Sequence, residues 1–338
     1  IRHYSKWFNT YTALSSSLGD QLSHLGETAL IMPNSDLFRS AVIEGGATAT
    51  SSFSAHLPCG FCQSGNMVDL RADAFGGVQV EIHLTPDANA LYYEDGAVPA
   101  NGGECHYTLN DLKLTCEIMD LPEGTSPQPQ GSYQFNTITS LYTSINSTNA
   151  QIQYSLALKN LQSAYMTFMP VSNINTLTAD GQATTYPSND DDALAAINKV
   201  QFLKGGVRYP AEFDYDTNFL KDSNTQLPDP QIVKGLYDAI VPPYHQVRTS
   251  MSPDNSNRSY ILTTGEGETN YNKVSQGGPV MGLGVKYGIG DAGDDFSTEQ
   301  FGVSIDSNLN TDNPIGVYLF FKSKATLLYS QMGIQLIQ

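Results

Sequence analysis

Apolar and polar residues alternate with period two along several stretches of the chain, each bounded by Gly, Pro, Asn or Asp. That is the pattern of half-buried strands. Val78, Val80, Ile82 and Leu84 share one face, Gln79, Glu81 and His83 the other, and Pro86-Asp87 closes the strand. Leu112, Leu114, Cys116 and Ile118 make a second face, opposed by Lys113, Thr115 and Glu117. Ile152, Tyr154, Leu156 and Leu158 make a third, and Tyr165, Thr167 and Met169 belong to a fourth that Pro170 ends. Phe301, Val303 and Ile305 alternate in the same way, Val317 to Phe321 reads as a strand buried on both faces, and Leu327–Leu336 reads as a further strand. Ile334, Leu336 and Ile337 close the chain.

Helical signals are few. Ser188 to Asp192 offers N-caps and first-turn carboxylates ahead of Ala193–Ile197, where the helix dipole favours negative charge. Asp229-Pro230 opens a second short helix through Ile232, Val233, Leu236, Tyr237 and Ile240, stopped by Pro242-Pro243. Trp7, Tyr11, Leu14 and Leu18 have helical spacing in the N-terminal segment.

The clearest break is the Pro/Gly-rich run from Pro122 to Gly131, directly after a strand pattern, which reads as an interdomain linker. The expected organisation is an N-terminal segment (1–34), a first β unit (35–122), a linker (123–131) and a longer second unit (132–338) with extended loops. Dense turn chemistry and scarce helix in a chain this long favour sandwiches over an open α/β sheet. Two consecutive sandwiches of roughly eight strands each, with a few short helices in loops, are two jelly rolls, an all-β fold.

Charge narrows the function. The 338 residues carry 17 Lys+Arg against 34 Asp+Glu, a net charge of −17, with no basic run. Nucleic-acid affinity comes largely from Lys/Arg displacing counterions, so direct nucleic-acid binding is not expected. No apolar stretch approaches the ~20 residues of a membrane helix, so no membrane insertion is expected either. Charged residues make up only 15% of the chain, while 14 Phe and 19 Tyr supply a core, so the chain is not a disordered acidic one.

The candidate chemistry has bland explanations. Cys59-Gly60-Phe61-Cys62 follows Pro58 and precedes β pattern, whereas a redox pair should open a helix. A zinc site would have to recruit Cys105 or His106, and Cys116 lies on an apolar strand face. His3, His24, His56, His83, His106 and His245 show no metal-centre spacing. Asp190 to Asp192 and Asp291, Asp294 and Asp295 are oxygen-rich but lack a Ca²⁺-loop pattern. Gly282-Leu283-Gly284 and Gly265-Glu266-Gly267 precede no helix with Lys-Ser/Thr, so they are poor phosphate cradles. Asn146-Ser147-Thr148 and Asn257-Arg258-Ser259 match glycosylation sequons. No catalytic, cofactor-binding or metal-ligating residue is assigned, and an enzyme is not expected.

Several longer strings carry a resemblance. They are Tyr107 to Leu114, of the form Tyr-Thr-Leu-x-x-Leu-x-Leu; Phe202 to Pro210, Phe-Leu-x-Gly-Gly-x-Arg-Tyr-Pro; Asn313 to Lys324; and Gly333 to Gln338. With the Pro-rich connector they resemble double jelly-roll major capsid proteins of icosahedral DNA viruses, of the polinton-like virus and virophage type. The resemblance implies a virion structural subunit that forms pseudo-hexameric homotrimers, meets neighbouring capsomers and minor capsid or penton proteins, and uses no cofactor. The alternative from another class is a secreted carbohydrate-binding or adhesive β-sandwich protein, with a metal-dependent jelly-roll enzyme third.

Overall fold

Thr, Val, Ile, Tyr and Phe supply 11 of the 24 residues 131–154 and 11 of the 30 residues 301–330, and these β-branched and aromatic side chains suit a pleated, half-buried surface. The computed structural model of the chain describes residues 60, 69–71, 75, 77–84, 107–115, 119–171, 197–209, 215–216, 283–288, 292–307 and 314–338. Within them ten strands form two antiparallel five-stranded sheets.

The first sheet runs β1 (Gly131–Ile145), β9 (Ile315–Ser330), β3 (Leu161–Pro170) and β7 (Leu283–Lys286), with β10 (Gly333–Ile337) added to β9 beyond the end of β3. The second runs β2 (Asn149–Tyr154), β8 (Phe301–Ser307), β4 (Ile197–Lys204) and β5 (Val207–Arg208), with β6 (Tyr215–Asp216) also on β4. Leaving out the accessory strands β6 and β10, the antiparallel partners nest: β1 with β9, β2 with β8, β3 with β7, and β4 with β5. Cross-pairings β9·β3 and β8·β4 complete the two sheets. A long hairpin rolled up so that its strands alternate between two sheets gives this order, which defines a jelly roll. The described protein is therefore all-β, as the alternation predicts.

β9 is the spine. It pairs with β1 from Ile315 to Tyr329 without a break in register. Its stretch Ile315–Phe321 is buried on both faces, as the continuous apolar run predicts. On the inward face Phe321 meets Phe301 of β8 edge-on, with ring centroids 4.7 Å apart. Phe301 lies 6.2 Å from Phe202 of β4 and 6.1 Å from Phe296. On the outward face, cross-strand partners Tyr165 and Phe320 stack at 4.8 Å, and Tyr142 and Tyr318 sit 4.9 Å apart. Burial raises the ionisation points of Tyr165 and Tyr318, so both stay neutral phenols.

The β4–β5 hairpin shows local chemistry setting register. Lys204 pairs with Val207, leaving a two-residue turn at Gly205-Gly206. Both glycines have positive φ, 57° and 82°, as a type I′ hairpin turn requires.

Several expectations are corrected. Residues 77–84 and 112–115 form no strand, and Val78, Val80, Ile82 and Leu84 are 45%, 39%, 57% and 55% exposed. Alternation specifies which face a strand would bury, but a strand also needs a neighbour to complete its ladder, and none of the described strands supplies one. The two closing strands expected at Val317–Phe321 and Leu327–Leu336 are instead one sixteen-residue strand, β9, followed by β10 after the Gln331-Met332 turn. The face running through Leu156 and Leu158 leaves the ladder after Tyr154. Ala157 turns with a φ of 52°, although Leu158 is still buried. Ile197, read as a helix end, opens β4. The expected helices, at Ser188–Ala196, Asp229–Ile240 and in the first thirty residues, lie outside the described residues, as does most of the 35–122 unit.

Candidate functional site

Three surface features stand out among the described residues. The first is a flank. Among the described strands β1 ends one sheet and β2 the other, and the Asn146–Thr148 corner joins them, so both edges lie on one side of the roll. The corner is tied down by Ser307, whose N–H donates to the Thr148 carbonyl at 2.7 Å and whose hydroxyl donates to the Ser147 carbonyl at 3.0 Å. From Gly124 to Leu158 the chain contains no Asp, Glu, Lys, Arg or His. The exposed positions are Ser132, Gln134, Asn136, Tyr142 and Ser144 on β1, and Asn149, Gln151 and Gln153 on β2. An open depression of about 420 Å³ follows the corner, lined by residues 143–147 and 149–154. The opposite side, built from β4, β5 and β7, carries Lys199, Lys204, Arg208 and Lys286.

The second feature is a clasp at the linker. Arg71 grips Asp69 through two hydrogen bonds, Nε to Oδ1 at 2.9 Å and Nη2 to Oδ2 at 2.9 Å, and its Nη1 donates to the Thr125 carbonyl at 3.2 Å. That guanidinium holds the Asp69 carboxyl below its ordinary range. The Asp69 N–H donates to the Tyr133 hydroxyl at 3.1 Å. Tyr133 stacks on Tyr329 at 5.4 Å, and Phe75 leans on Tyr329 at 5.1 Å. Gly60 lies so close to the Phe135 ring that a Cβ there would stand 2.6 Å from Cδ2. The segment before the linker is thus tied to the first strand after it. Replacing Tyr133 by Ala should lower stability in urea unfolding by about 1–3 kcal/mol. Tyr133→Phe, which keeps the ring and loses the hydroxyl that bonds both the Asp69 N–H and Tyr329, should cost about 1 kcal/mol.

The third feature caps one end of the roll. The Tyr209 hydroxyl donates to the Asp294 carboxylate, and this bond pushes the Tyr209 ionisation point up to about 12. Tyr209 stacks on Tyr287 at 5.7 Å, and the Lys204 ammonium sits 4.8 Å from the Phe296 ring centroid and 5.4 Å from that of Tyr209. Asp295 accepts from the Ser297 N–H at 2.7 Å, and hydrogen bonds from the Ser297 side chain and backbone hold its carboxyl low.

Asp294 and Asp295 each thus spend an oxygen on a protein donor. Among the described residues no group of three or more His, Cys, Asp or Glu is placed to hold a metal. His83 pairs with Glu81 at 2.8 Å on the surface, and Gly284 is a ladder residue of β7 opposite Tyr165. Asn146 of the first sequon is exposed at the β1–β2 corner. Cys59, Cys62, Cys105, Cys116, His3, His24, His56, His106, His245, Asp190 to Asp192, Asp291, Gly265 to Gly267, Gly282 and Asn257 lie outside the described residues. No described helix is long and apolar enough to cross a membrane.

The clasp and the flank escape a motif search. The clasp's only sequence trace is the Tyr133-x-Phe135 alternation, and its partners Asp69 and Tyr329 are far away in the chain. The flank needs the topology that makes β1 and β2 edges.

Fold and surfaces together define a jelly-roll sandwich with one uncharged flank. No family model matches the sequence, and no curated protein does. Solved structures similar to the chain include the Faustovirus major capsid protein, at 12% identity and a TM-score of 0.32, covering 59% of this chain and 34% of that one. A quasi-atomic model of the PBCV-1 virus capsid is 8% identical with a TM-score of 0.32, covering 62% and 52%. The Sputnik virophage structure is 12% identical with a TM-score of 0.28, covering 64% and 40%. The chain spans about a third to a half of the length of these structures.

Proposed function

We propose that the chain is a viral major capsid protein, a non-enzymatic subunit of the virion that associates with copies of itself as trimers and tiles them into an icosahedral shell. In this reading residues 35–122 form a first jelly roll, 123–131 the connector, and 132–338 the second jelly roll, tied by the clasp to the segment before the connector. The partners are neighbouring capsomers and minor capsid or penton proteins, and the chain makes no direct contact with nucleic acid.

The uncharged flank carries the reading. Edge strands of soluble proteins are ordinarily blunted with Lys, Pro or inward charges, because an open edge templates pairing. Here two edge strands on a chain of net charge −17 carry no charge and present amides and hydroxyls. Copies that meet through this flank avoid setting carboxylate against carboxylate and desolvate no ion, and interface cores are depleted in charge for that reason. The test is light scattering and negative-stain imaging of the purified protein at micromolar concentration. The expected result is a hexagon-shaped particle of three 36.7 kDa chains that resists dilution. A stable monomer overturns the proposal.

A further inference from the structure

We propose that residues 78–84 of one copy add a strand to the free edge of β10 in a second copy. This rests on the self-association proposed above and names the contact that joins two copies. The first half of the contact is the segment itself. It runs from Gly77 to Leu84 without helix, turn or bend, alternates apolar and polar residues, and has no ladder partner among the described residues. Val78, Val80, Ile82 and Leu84 are between 39% and 57% exposed. One such residue on a surface is ordinary, but a contiguous row of four marks an interaction site.

The second half is β10. It pairs with β9 along one edge, and among the described strands nothing pairs with the other. Ile334 and Leu336, on one face, are 48% and 50% exposed. The eight residues 77–84 are long enough to cover the five of β10. Both elements also leave from one place. Phe75, two residues before Gly77, packs on Tyr329, and the ladder partner of Tyr329 on β10 is Ile334. Each copy therefore presents a donor strand beside an acceptor edge, and in a closed ring every copy gives one strand and receives one.

Charge selects a second copy as the occupant. From Ile334 to Gln338 the edge has no charged side chain, and the only acid of the donor, Glu81, is paired with His83 at 2.8 Å. The two elements can approach without like-charge repulsion on a chain whose net charge of −17 opposes most other encounters.

The experiment is sedimentation of the full chain and its variants across a dilution series, with circular dichroism to show that each variant is folded. Val80→Lys and Leu336→Lys should each raise the dissociation constant about thirtyfold or more, the loss expected when an anchoring contact is removed. Val80→Lys combined with Leu336→Glu should recover most of that loss, because the new charges then face each other. Ile82→Lys gives the same reading as Val80→Lys through an independent position. If the wild-type chain associates and all the single variants associate equally well, this contact is wrong while the capsid reading stands. If the wild-type chain is a monomer, both fall.

Discussion

Replacing Phe301 by alanine is expected to lower the unfolding free energy by about 3–5 kcal/mol, the upper part of the range for core substitutions. Phe301 is fully buried on β8, and its ring joins the two sheets. It meets Phe321 of β9 edge-on at 4.7 Å, Phe202 of β4 at 6.2 Å and Phe296 at 6.1 Å. Phe296 in turn meets Tyr287 at 5.1 Å, which stacks on Tyr209 at the end of the roll. Removing the ring deletes its own transfer free energy and leaves a void walled by three other rings. Phe321 and Phe202 are fixed by the ladders of the two sheets and Phe296 by its N–H bond to the Leu158 carbonyl at 2.8 Å, so the rings cannot collapse inward. Phe301→Leu keeps most of the volume and should cost about 1–1.5 kcal/mol. Urea denaturation followed by far-UV circular dichroism measures both, and equal losses for the two variants would show that the site relaxes freely.

The aromatic chain explains which parts of the fold could be read in the sequence. β8 and the apolar half of β9 are legible because nearly every inward position there is Phe, Val, Leu or Ile. β1 is nearly as long as β9, yet three of its inward positions, Thr137, Thr139 and Thr143, lie opposite Ser323, Phe321 and Val317. A threonine methyl can face a core while its hydroxyl reads as polar, so the alternation is hidden. β10 failed in the opposite way. Its isoleucines and leucine suggest burial, but it lies beyond the end of β3, where the second sheet no longer covers it.

The candidate surfaces were legible only as composition. A missing charge over residues 124–158 becomes meaningful once β1 and β2 prove to be the outer strands of two different sheets on one side. Residues 78–84 look like a core strand by pattern and lie on the surface in the single chain. A strand pattern without a local partner records a need for a partner and leaves open which chain supplies it. That need joins the corrected expectation to the copy-to-copy contact.

Gly288→Ala should cost about 2–4 kcal/mol, more than its place in a loop would suggest. Gly288 follows Tyr287, whose N–H donates to the Gln162 carbonyl at 2.7 Å. The chain then returns to the same edge of β3, where Asp294 and Leu161 exchange two backbone hydrogen bonds of 2.9 Å. Gly288 has a φ of 71°, and a Cβ there would run into the Ala292 carbonyl oxygen. The left-handed conformation alone costs an L-residue about 1 kcal/mol. The collision adds more, because the return path is held by backbone bonds that must lengthen to relieve it. Gly206→Ala separates the two effects. Gly206 has a φ of 82° but nothing within 4 Å of its would-be Cβ, so only the conformational cost of about 1 kcal/mol applies. Denaturant midpoints of the two variants should differ clearly, with Gly288→Ala the weaker protein. Equal midpoints would mean that the Ala292 carbonyl gives way without straining the Leu161–Asp294 pairing.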